Sequence, residues 1–329
     1  MVSNSDVKNV KKVILNKWPD VKIISIKEFK EGYNNLAFDV KLSSGDFVVK
    51  FLSLKGIEKY VLKQNQIRKV IRKKFKDFPI GKVVACDFSK KIISRPYIIT
   101  EKVDGVSIQS IIRKVDDLSY LYEEIGKWYG QMHSVKMDNY SELDDKFNLV
   151  DNYGSIYSKK SKDAKILFEK IIVRKLLSVK TLEKYVSFFE KNKSIMKKEK
   201  GPCLCHGDVA ASNIIVKKKD SRYVVSGFID FEFVRAGGMI YDLFKSLRNF
   251  NFDYKYRKDV VKGHLKYCKL PKDWEQLALF YNWIESLDMI IKIDDLKWRN
   301  LSLEDANKRK KNLRKENLKR LRWIVKQFE

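Results

Sequence analysis

An aspartate, an asparagine and a second aspartate follow one another in an order that can support phosphoryl transfer. Asp208 and Asn213 lie five residues apart in a stretch of small residues, and Asp230 follows a later apolar segment. Phosphoryl transfer requires a group that accepts or orients the proton of the attacking hydroxyl, together with oxygen ligands for Mg²⁺. The residue types therefore predict that Asp208 handles the hydroxyl while Asn213 and Asp230 bind the metal.

Two predicted strands hold these residues in place. The β-branched segment 214–216 follows Asn213 directly, and the chain then turns back into a second strand that ends at Asp230. The small residues at positions 210–212 leave room for the loop to close around a site. The pattern is that of a loop and a hairpin that together present two carboxylates and one amide.

The charge of the chain does not by itself indicate a partner. The 329 residues suit one large domain or two joined lobes. They carry 69 Lys and Arg against 42 Asp and Glu, a net charge of +27, which first suggests nucleic acid or a membrane surface. The basic residues are mostly lysines spread over the whole chain, whereas a nucleic-acid binder more often clusters arginines among stacking aromatics. Nucleic-acid binding is therefore not expected.

The sequence predicts a cytoplasmic protein. The N-terminal residues 1–15 lack the apolar core of a signal peptide. The most apolar helical stretch, residues 276–291, is interrupted by Glu285 and Asp288, so no membrane span is predicted. The four cysteines form no Cys-x-x-Cys motif, which favours buried thiols over a zinc site.

The hydrophobic pattern predicts two parts of different character. A helix over residues 7–18 and three antiparallel strands begin the chain, with a glycine turn between the first two strands. A helix within residues 56–75 and two more strands complete a five-stranded sheet. From residue 116 onward helices predominate, including a helical stretch over 163–196 and a capping box at Ser302.

The loop and hairpin together resemble a known family. His206-x-Asp208-x4-Asn213, followed by a strand and by Ile229-Asp230-Phe231-Glu232, is similar to the aminoglycoside phosphotransferase and choline kinase family. The resemblance implies an α+β, bilobal, protein-kinase-like fold. It places an antiparallel-sheet, nucleotide-binding N-lobe in residues 1–102 and a mostly helical C-lobe in residues 103–329. The C-lobe would carry the catalytic loop, the acceptor pocket and a basic C-terminal helix.

The resemblance also implies residues that hold the phosphoryl donor, ATP or GTP. Lys50, in the third strand, corresponds to the lysine that holds the α- and β-phosphates. The glutamate on the crossing helix with which kinases pair this lysine is not evident, and either Glu58 or Gln66 could take that place. The remaining donor-binding residues are a turn between the first two strands and the backbone of a hinge: Gly32, Asn34, Asn35, Glu101 and Val103.

Two further residues are expected to support the loop. The resemblance implies that His206 is a buried brace and that Asp242, in a Tyr-Asp-Leu segment, stabilises the catalytic loop structurally. His133 is expected to serve packing rather than chemistry.

The predicted reaction moves the γ-phosphoryl group of ATP or GTP to a hydroxyl of a small molecule, with Asp208 as the catalytic residue and Mg²⁺ as cofactor. The resemblance admits aminoglycosides and other antibiotics, choline or ethanolamine, sugars, and homoserine as acceptors. A pseudokinase-like binding or regulatory protein with a basic tail is the alternative from another class. The protein is expected to be a monomer or a weak dimer. A cationic acceptor would need local acids or aromatics, and the C-terminal helices offer six candidates: Tyr281, Trp283, Glu285, Asp288, Asp294 and Asp295.

Overall fold

A computed structural model describes most of the chain, which folds into two compact units. The residues described are 4–29, 36–52, 63–144, 146–245, 253–296 and 302–329. The first unit comprises Met1–Val106, Asp144–Asn148 and Ile214–Glu232, and the second comprises Ser107–Leu143, Leu149–Asn213 and Phe233–Glu329. None of the helices in the described ranges has both the length and the apolar character needed to cross a membrane.

The first unit is built on an antiparallel sheet. Five strands of the described chain form it in the order β1-β2-β3-β5-β4, with every neighbouring pair antiparallel. Their bounds are β1 (Ile23–Glu28), β2 (Leu36–Leu42), β3 (Gly45–Phe51), β4 (Val83–Asp87) and β5 (Tyr97–Glu101). The predicted five-stranded sheet is therefore confirmed.

One face of this sheet is covered by the first helix. Helix α1 (Asn4–Lys17) buries Val10, Val13 and Ile14 completely. These side chains share a core cluster with Phe38 of β2 and with other inward-facing strand residues. The apolar face of the helix and the apolar face of the sheet thus pack together in one core, as expected for amphipathic elements.

A second helix is fastened to the start of β4 by side-chain amides. In α2 (Lys63–Lys74) the amide of Asn65 donates to the carbonyl of Val83 and accepts from its N–H, each at 2.9 Å. The amide of Gln64 donates to the carbonyl of Gly81 at 2.9 Å. The first half of the predicted crossing helix lies outside the described residues.

A hairpin completes the part of the first unit that bears on the site. Strands β9 (Ile214–Lys219) and β10 (Arg222–Phe228) pair antiparallel, as predicted. Phe228 ends β10 by bridging to Ile80, and its ring stacks on Phe78 at 5.9 Å between centroids. The hairpin therefore delivers the chain to Asp230 from a buried and fixed position.

The second unit is mostly helical. Its central helix, α8 (Trp274–Lys292), is buried along most of its length, and Trp283 is completely buried among the rings of Tyr185, Phe188 and Phe280. The other helices are α3 (Ser119–His133), α4 (Ile156–Val173), α5 (Val179–Asn192), α6 (Met239–Lys245), α7 (Arg257–His264) and α9 (Leu303–Lys326). Three short strands, β7 (Ser141–Glu142), β8 (Cys203–Cys205) and β11 (Arg235–Gly237), form a small sheet in the order β7-β11-β8. Strand β6 (Val106–Ser107) lies where the chain passes from the first unit to the second.

The prediction of further helix over residues 163–196 is confirmed, and the structure adds where this region is divided. Two helices occupy this region, and the chain between them turns at Lys175 with a φ of +52°. Each helix has a serine cap, because Ser155 accepts the N–H of Ser158 and Ser178 accepts the N–H of Thr181. The predicted cap at Ser302 is confirmed by its bond to the N–H of Asp305 at 3.1 Å.

Candidate active site

The predicted catalytic loop lies in the second unit, directly after β8. A short 3₁₀ turn, Ala211–Asn213, ends it and brings Asn213 back toward Asp208. The amide nitrogen of Asn213 donates to the Asp208 carboxylate at 2.9 Å and to the Asp208 carbonyl at 3.0 Å. The spacing of five residues lets the turn place the Asn213 amide against the Asp208 carboxylate, a contact that the residue types alone do not predict.

The bonds of Asn213 also define which of its atoms can bind something else. Its nitrogen is used twice by Asp208, so the side-chain oxygen is the group that remains to accept. The hydroxyl of Ser212 approaches this oxygen at 3.3 Å, a long contact. Asn213 is 6 % exposed, so the oxygen is held in one direction by a mostly buried side chain.

Asp242, at the start of α6, holds the beginning of the loop. Its Oδ2 accepts the backbone N–H of His206 and its Oδ1 accepts the backbone N–H of Gly207, both at 2.7 Å. The carboxylate is almost completely buried. Hydrogen bonds to an ionised acceptor are stronger than neutral ones, so Asp242 fixes the backbone immediately before Asp208, as its predicted supporting role requires.

Two buried histidines continue this network away from the loop. His133 Nε2 lies 3.1 Å from Asp242 Oδ2, and His133 Nδ1 lies 2.9 Å from His264 Nε2. Burial and the neighbouring His133 lower the pKa of His264 to about 2, so this imidazole is neutral. Burial alone would raise the pKa of Asp242, but the hydrogen bond from His133 and the contribution of His206 lower it below its ordinary value.

Gly207 has to be a glycine for two reasons. Its φ is +79°, in the left-handed region that residues with a side chain rarely adopt. A Cβ atom at this position would also lie 1.9 Å from the carbonyl oxygen of Phe233. His206 beside it is fully buried, and its Nδ1 accepts the Asp208 N–H at 3.3 Å, which confirms the predicted burial.

The cysteines next to the loop pack as buried thiols. The ligand atoms of His133, Cys203 and Cys205 lie within 4.8 Å of one another, a distance that a metal site could use. Both nitrogens of His133 already have partners, however, and the two sulfurs each contact a carbonyl at 3.5 Å, those of Gly237 and Gly238. Burial raises the pKa of the Cys205 thiol well above its ordinary value, so this group stays protonated.

In the first unit the predicted phosphate-binding lysine is paired with the predicted metal ligand. Lys50 Nζ lies 3.0 Å from Asp230 Oδ1, across 180 positions of sequence. Burial opposes the charge of Lys50, but the carboxylates of Asp230 and Glu232 outweigh it and raise the lysine pKa. Asp230 has a φ of +69°, so the backbone turns sharply where the hairpin ends.

This ion pair bears on the question of which group partners Lys50. Gln66 lies in α2, but within the described part of the chain the partner of the Lys50 ammonium is Asp230. Glu58 lies outside the described residues. The predicted nucleotide-turn residues Gly32, Asn34 and Asn35 also lie outside them.

The predicted hinge residues follow the last strand of the first sheet. Glu101 ends β5, where its N–H donates to the carbonyl of Lys82 at 2.9 Å and its carboxylate accepts the Lys82 N–H at 3.0 Å. Val103 packs against Gly227, where a Cβ would lie 2.5 Å from a methyl group of the valine. Glu101 and Val103 are therefore both held by contacts within the first unit.

The six residues considered for binding a cationic acceptor have structural partners. Tyr281 and Trp283 are fully buried, and the Glu285 carboxylate accepts the hydroxyl of Tyr241 inside the core. Asp288 pairs with Lys292 within α8. The other two carboxylates form surface ion pairs, Asp294 with Arg314 at 2.7 Å and Asp295 with Arg174 at 3.2 Å.

A crevice beside the catalytic loop contains residues that sequence reasoning did not single out. Gly207 and Asp242 form part of its wall, and buried Lys160 donates to the hydroxyl of Tyr241 at 2.7 Å. Lys159 lies over the ring of Tyr153, 4.2 Å from its centroid. The remaining lining residues are Tyr140, Ile156, Cys205, Arg235, Ala236 and Gly237. In a chain so rich in lysine, no sequence signal distinguishes these lysines from surface ones.

Several solved structures are similar to this chain over almost its whole length. The aminoglycoside phosphotransferase APH(4)-Ia has 14% identity and a TM-score of 0.68, with 97% of this chain and 98% of that chain covered. The GDP and kanamycin complex of APH(2")-IIia has 16% identity and a TM-score of 0.65, with 96% and 97% covered. A thermostable variant of APH(4)-Ia in a ternary complex with AMP-PNP and hygromycin B has 14% identity and a TM-score of 0.66, with 97% and 98% covered.

At such low identity these structures show a shared fold, and the predicted α+β, kinase-like class is confirmed. No curated protein sequence matches the chain. The sequence profile described as the phosphotransferase enzyme family matches residues 25–280, well over half of the chain. The prediction of a small-molecule phosphotransferase is thereby confirmed, and the chain belongs to the phosphotransferase enzyme family.

Proposed function

We propose that this enzyme transfers the γ-phosphoryl group of ATP or GTP to a hydroxyl group of a small molecule, with Asp208 as the residue that orients the hydroxyl and takes its proton. The observation that carries the proposal is the contact of 2.9 Å between the Asn213 amide and the Asp208 carboxylate. It fixes a carboxylate in a loop that Asp242 holds by two further bonds. Catalysis of this reaction depends mainly on positioning and on charge stabilisation.

Mg²⁺ is the proposed metal, and the chemistry of the donor set fits it. Mg²⁺ prefers oxygen ligands and is usually held by one or two carboxylates together with substrate phosphates. Asn213 offers a neutral oxygen, because its nitrogen is used by Asp208. Asp230 offers a carboxylate at a fixed turn of the backbone. The metal would neutralise charge on the phosphates of the donor.

The donor is proposed to be a purine nucleoside triphosphate. Lys50 would hold the phosphates, the turn with Gly32, Asn34 and Asn35 would cover them, and backbone groups near Glu101 and Val103 would bond the base. The similar structures with AMP-PNP and with GDP support this proposal. In the same scheme, residues 1–102 form the nucleotide-binding lobe, residues 103–329 carry the catalytic loop and acceptor pocket, and the enzyme works in the cytoplasm.

The acceptor is proposed to be a hydroxylated small molecule of the sugar or aminoglycoside type. The similar structures named for hygromycin B and kanamycin support an aminoglycoside acceptor. The structural partners of the six acids and aromatics considered earlier weigh against choline or ethanolamine.

The test is a phosphate-transfer screen of the full chain with ATP and with GTP in the presence of Mg²⁺. The acceptor panel comprises kanamycin, hygromycin B, choline, ethanolamine and neutral sugars, with thin-layer or mass detection of the phosphorylated product. Asp208→Asn should lose at least about 1,000-fold in turnover while it still binds nucleotide. Asp273→Asn is the matched control, because the Asp273 carboxylate pairs with Lys198 on the surface of the same unit.

Two outcomes would contradict the proposal. Near wild-type turnover by Asp208→Asn would show that Asp208 is not the catalytic residue. Tight Mg²⁺-dependent nucleotide binding by the wild-type chain without transfer to any acceptor, and without hydrolysis, would instead support the pseudokinase-like binding role.

A further inference from the structure

A carboxylate outside the predicted site caps the helix that supports the catalytic loop. Glu199 Oε1 accepts the backbone N–H of Ile240 and Oε2 accepts that of Tyr241, both at 3.0 Å. Glu199 Oε1 also accepts the N–H of Lys200 at 2.9 Å. The first N–H groups of a helix have no partners inside it, and a negative charge at this end is favoured by the helix dipole. Glu199 thus supplies from another segment what α6 lacks.

The contact between Glu199 and α6 is close, and residues next to each partner contribute to it. A Cβ atom on Gly238, just before α6, would lie 2.5 Å from Glu199 Cγ, so the glycine is what admits the carboxylate. The N–H of Met239 donates to the carbonyl of Lys200 at 3.2 Å. Three consecutive backbone donors, at positions 239–241, therefore bond to residues 199–200.

Asp242 follows these donors in the same turn of α6. Its own N–H donates to the carbonyl of Gly238 at 3.0 Å, so its place depends on this first turn. Its side chain then accepts the N–H groups of His206 and Gly207. One side of the turn is held by Glu199, and the other side holds the loop that carries Asp208.

The chain itself also connects Glu199 to the loop that Asp242 binds. From Glu199 the chain passes through residues 200–202 into β8 and reaches His206 seven positions later. The phenols of Tyr281 and Tyr140 and the thiol of Cys205 face the Glu199 carboxylate, and none of these brings a positive charge. Burial raises the pKa of Glu199 to about 7 against the effect of its N–H donors and of the Tyr281 hydroxyl. The backbone donors and this phenol therefore hold the carboxylate in place without the help of a cation from the described part of the chain.

We propose that Glu199 is a positioning residue of the phosphotransferase: by fixing the first turn of α6 it sets the position of Asp242 and, through Asp242, of the loop that presents Asp208. This inference rests on the proposed role of Asp208. It assigns to Glu199 no contact with either substrate. It predicts that the loss of Glu199 loosens the N–H groups of His206 and Gly207 before it loosens the rest of the unit.

The experiment is hydrogen–deuterium exchange, read by mass spectrometry on the full chain, for Glu199→Gln and Glu199→Ala. Glu199→Gln keeps one acceptor oxygen and is the milder variant, should Glu199→Ala fold poorly. Exchange in peptides that contain His206 and Gly207 should be about tenfold faster in Glu199→Ala and less affected in Glu199→Gln. Peptides from α5 and α9 should be unchanged. Glu190→Ala is the matched control, because the Glu190 carboxylate pairs with Lys193 on the surface.

The proposal is overturned if loop exchange is unchanged, or if exchange rises equally throughout the second unit. Kinetics supply a second readout, since Glu199→Gln should lower kcat about tenfold with KM for nucleotide unchanged. Because the exchange measurement does not depend on turnover, it decides the role of Glu199 even if the wild-type chain phosphorylates no acceptor, a result that would count against the proposed function alone.

Discussion

The N–H of Gly207 donates to Oδ1 of Asp242 at 2.7 Å, although the two residues are 35 positions apart. The other oxygen of the same carboxylate accepts the N–H of His206. A single ionised side chain therefore satisfies two consecutive backbone donors in a place that water scarcely reaches. Buried N–H groups without partners would be costly, so the conformation of the loop and the charge of Asp242 depend on each other.

Removal of that charge should disable the loop. Asp242→Asn turns one accepting oxygen into a donating NH₂ group that faces a backbone N–H. We expect a loss of about 2–4 kcal/mol in the free energy of unfolding and a fall of about 100-fold in kcat. Urea unfolding and phosphate-transfer rates measure the two effects. Asp295→Asn, which alters a surface ion pair with Arg174, should change neither by more than a small amount.

The ion pair of Lys50 can be compared with a second one in the same unit. Lys102 pairs with Asp39 at 2.7 Å, and the lysines of the two pairs are similarly exposed, 22% for Lys50 and 24% for Lys102. If Lys50 holds donor phosphates, Lys50→Met should reduce kcat/KM for nucleotide about 100-fold. Lys102→Met should stay within about threefold of wild type. Equal losses in both variants would assign Lys50 a role in stability only.

Two glycines with a left-handed backbone allow the cost of backbone strain to be measured apart from the cost of a steric clash. Gly207 has a φ of +79° and no room for a Cβ, whereas Gly154 has a φ of +66° and nothing within 4 Å of that position. Gly154→Ala should therefore cost about 1 kcal/mol from backbone strain. Gly207→Ala should cost clearly more and abolish turnover, because the Phe233 carbonyl must move. Equal thermal shifts for the two variants would refute the collision argument.

The stability of the enzyme should depend on pH through Glu199. Its pKa is raised from 4.5 to about 7 in the folded chain. A raised pKa means that the folded state binds the proton more tightly than the unfolded state does. The contribution of Glu199 to the free energy of unfolding is therefore greatest below pH 4.5 and decreases as the pH rises toward 7. The free energy of unfolding, measured with urea, should be lower at about pH 8 than at about pH 5 in the wild-type protein. The difference between the two pH values should be smaller in Glu199→Gln. Identical decreases in both proteins would contradict the assignment.

The sequence shows that Asp208 and Asn213 share one short loop, but not that they touch. The Asn213 oxygen was expected to face a metal, whereas the donation of its nitrogen to the Asp208 carboxylate at 2.9 Å becomes visible only in the structure. The strands were predicted because alternation of apolar residues has one interpretation when a turn separates two segments. The break between α4 and α5 was not predicted, since no proline or glycine marks it and the serine caps are easily overlooked.

Contacts across long sequence distances were not predictable in the same way. The resemblance places the partner of Lys50 on the crossing helix, at Glu58 or Gln66, because kinases carry a glutamate there, and Glu58 lies outside the described residues. The contact that the structure does describe joins Lys50 to Asp230, 180 positions away. Glu199 had no recognisable signal either, because it stands in a polar lysine-rich segment and acquires its role only from the position of α6.

The ion pair between Lys50 and Asp230 has a consequence for the order in which ligands arrive. A carboxylate that already has an ammonium group 3.0 Å away is electrically neutralised, and a bare divalent cation gains little by competing for it. If Lys50 holds the donor phosphates and Asp230 binds the metal, as proposed, the phosphates would offer the ammonium a second anionic partner and would leave the Asp230 carboxylate free to bind the cation. Metal and nucleotide should therefore bind with positive cooperativity, each raising the affinity of the other by the same factor.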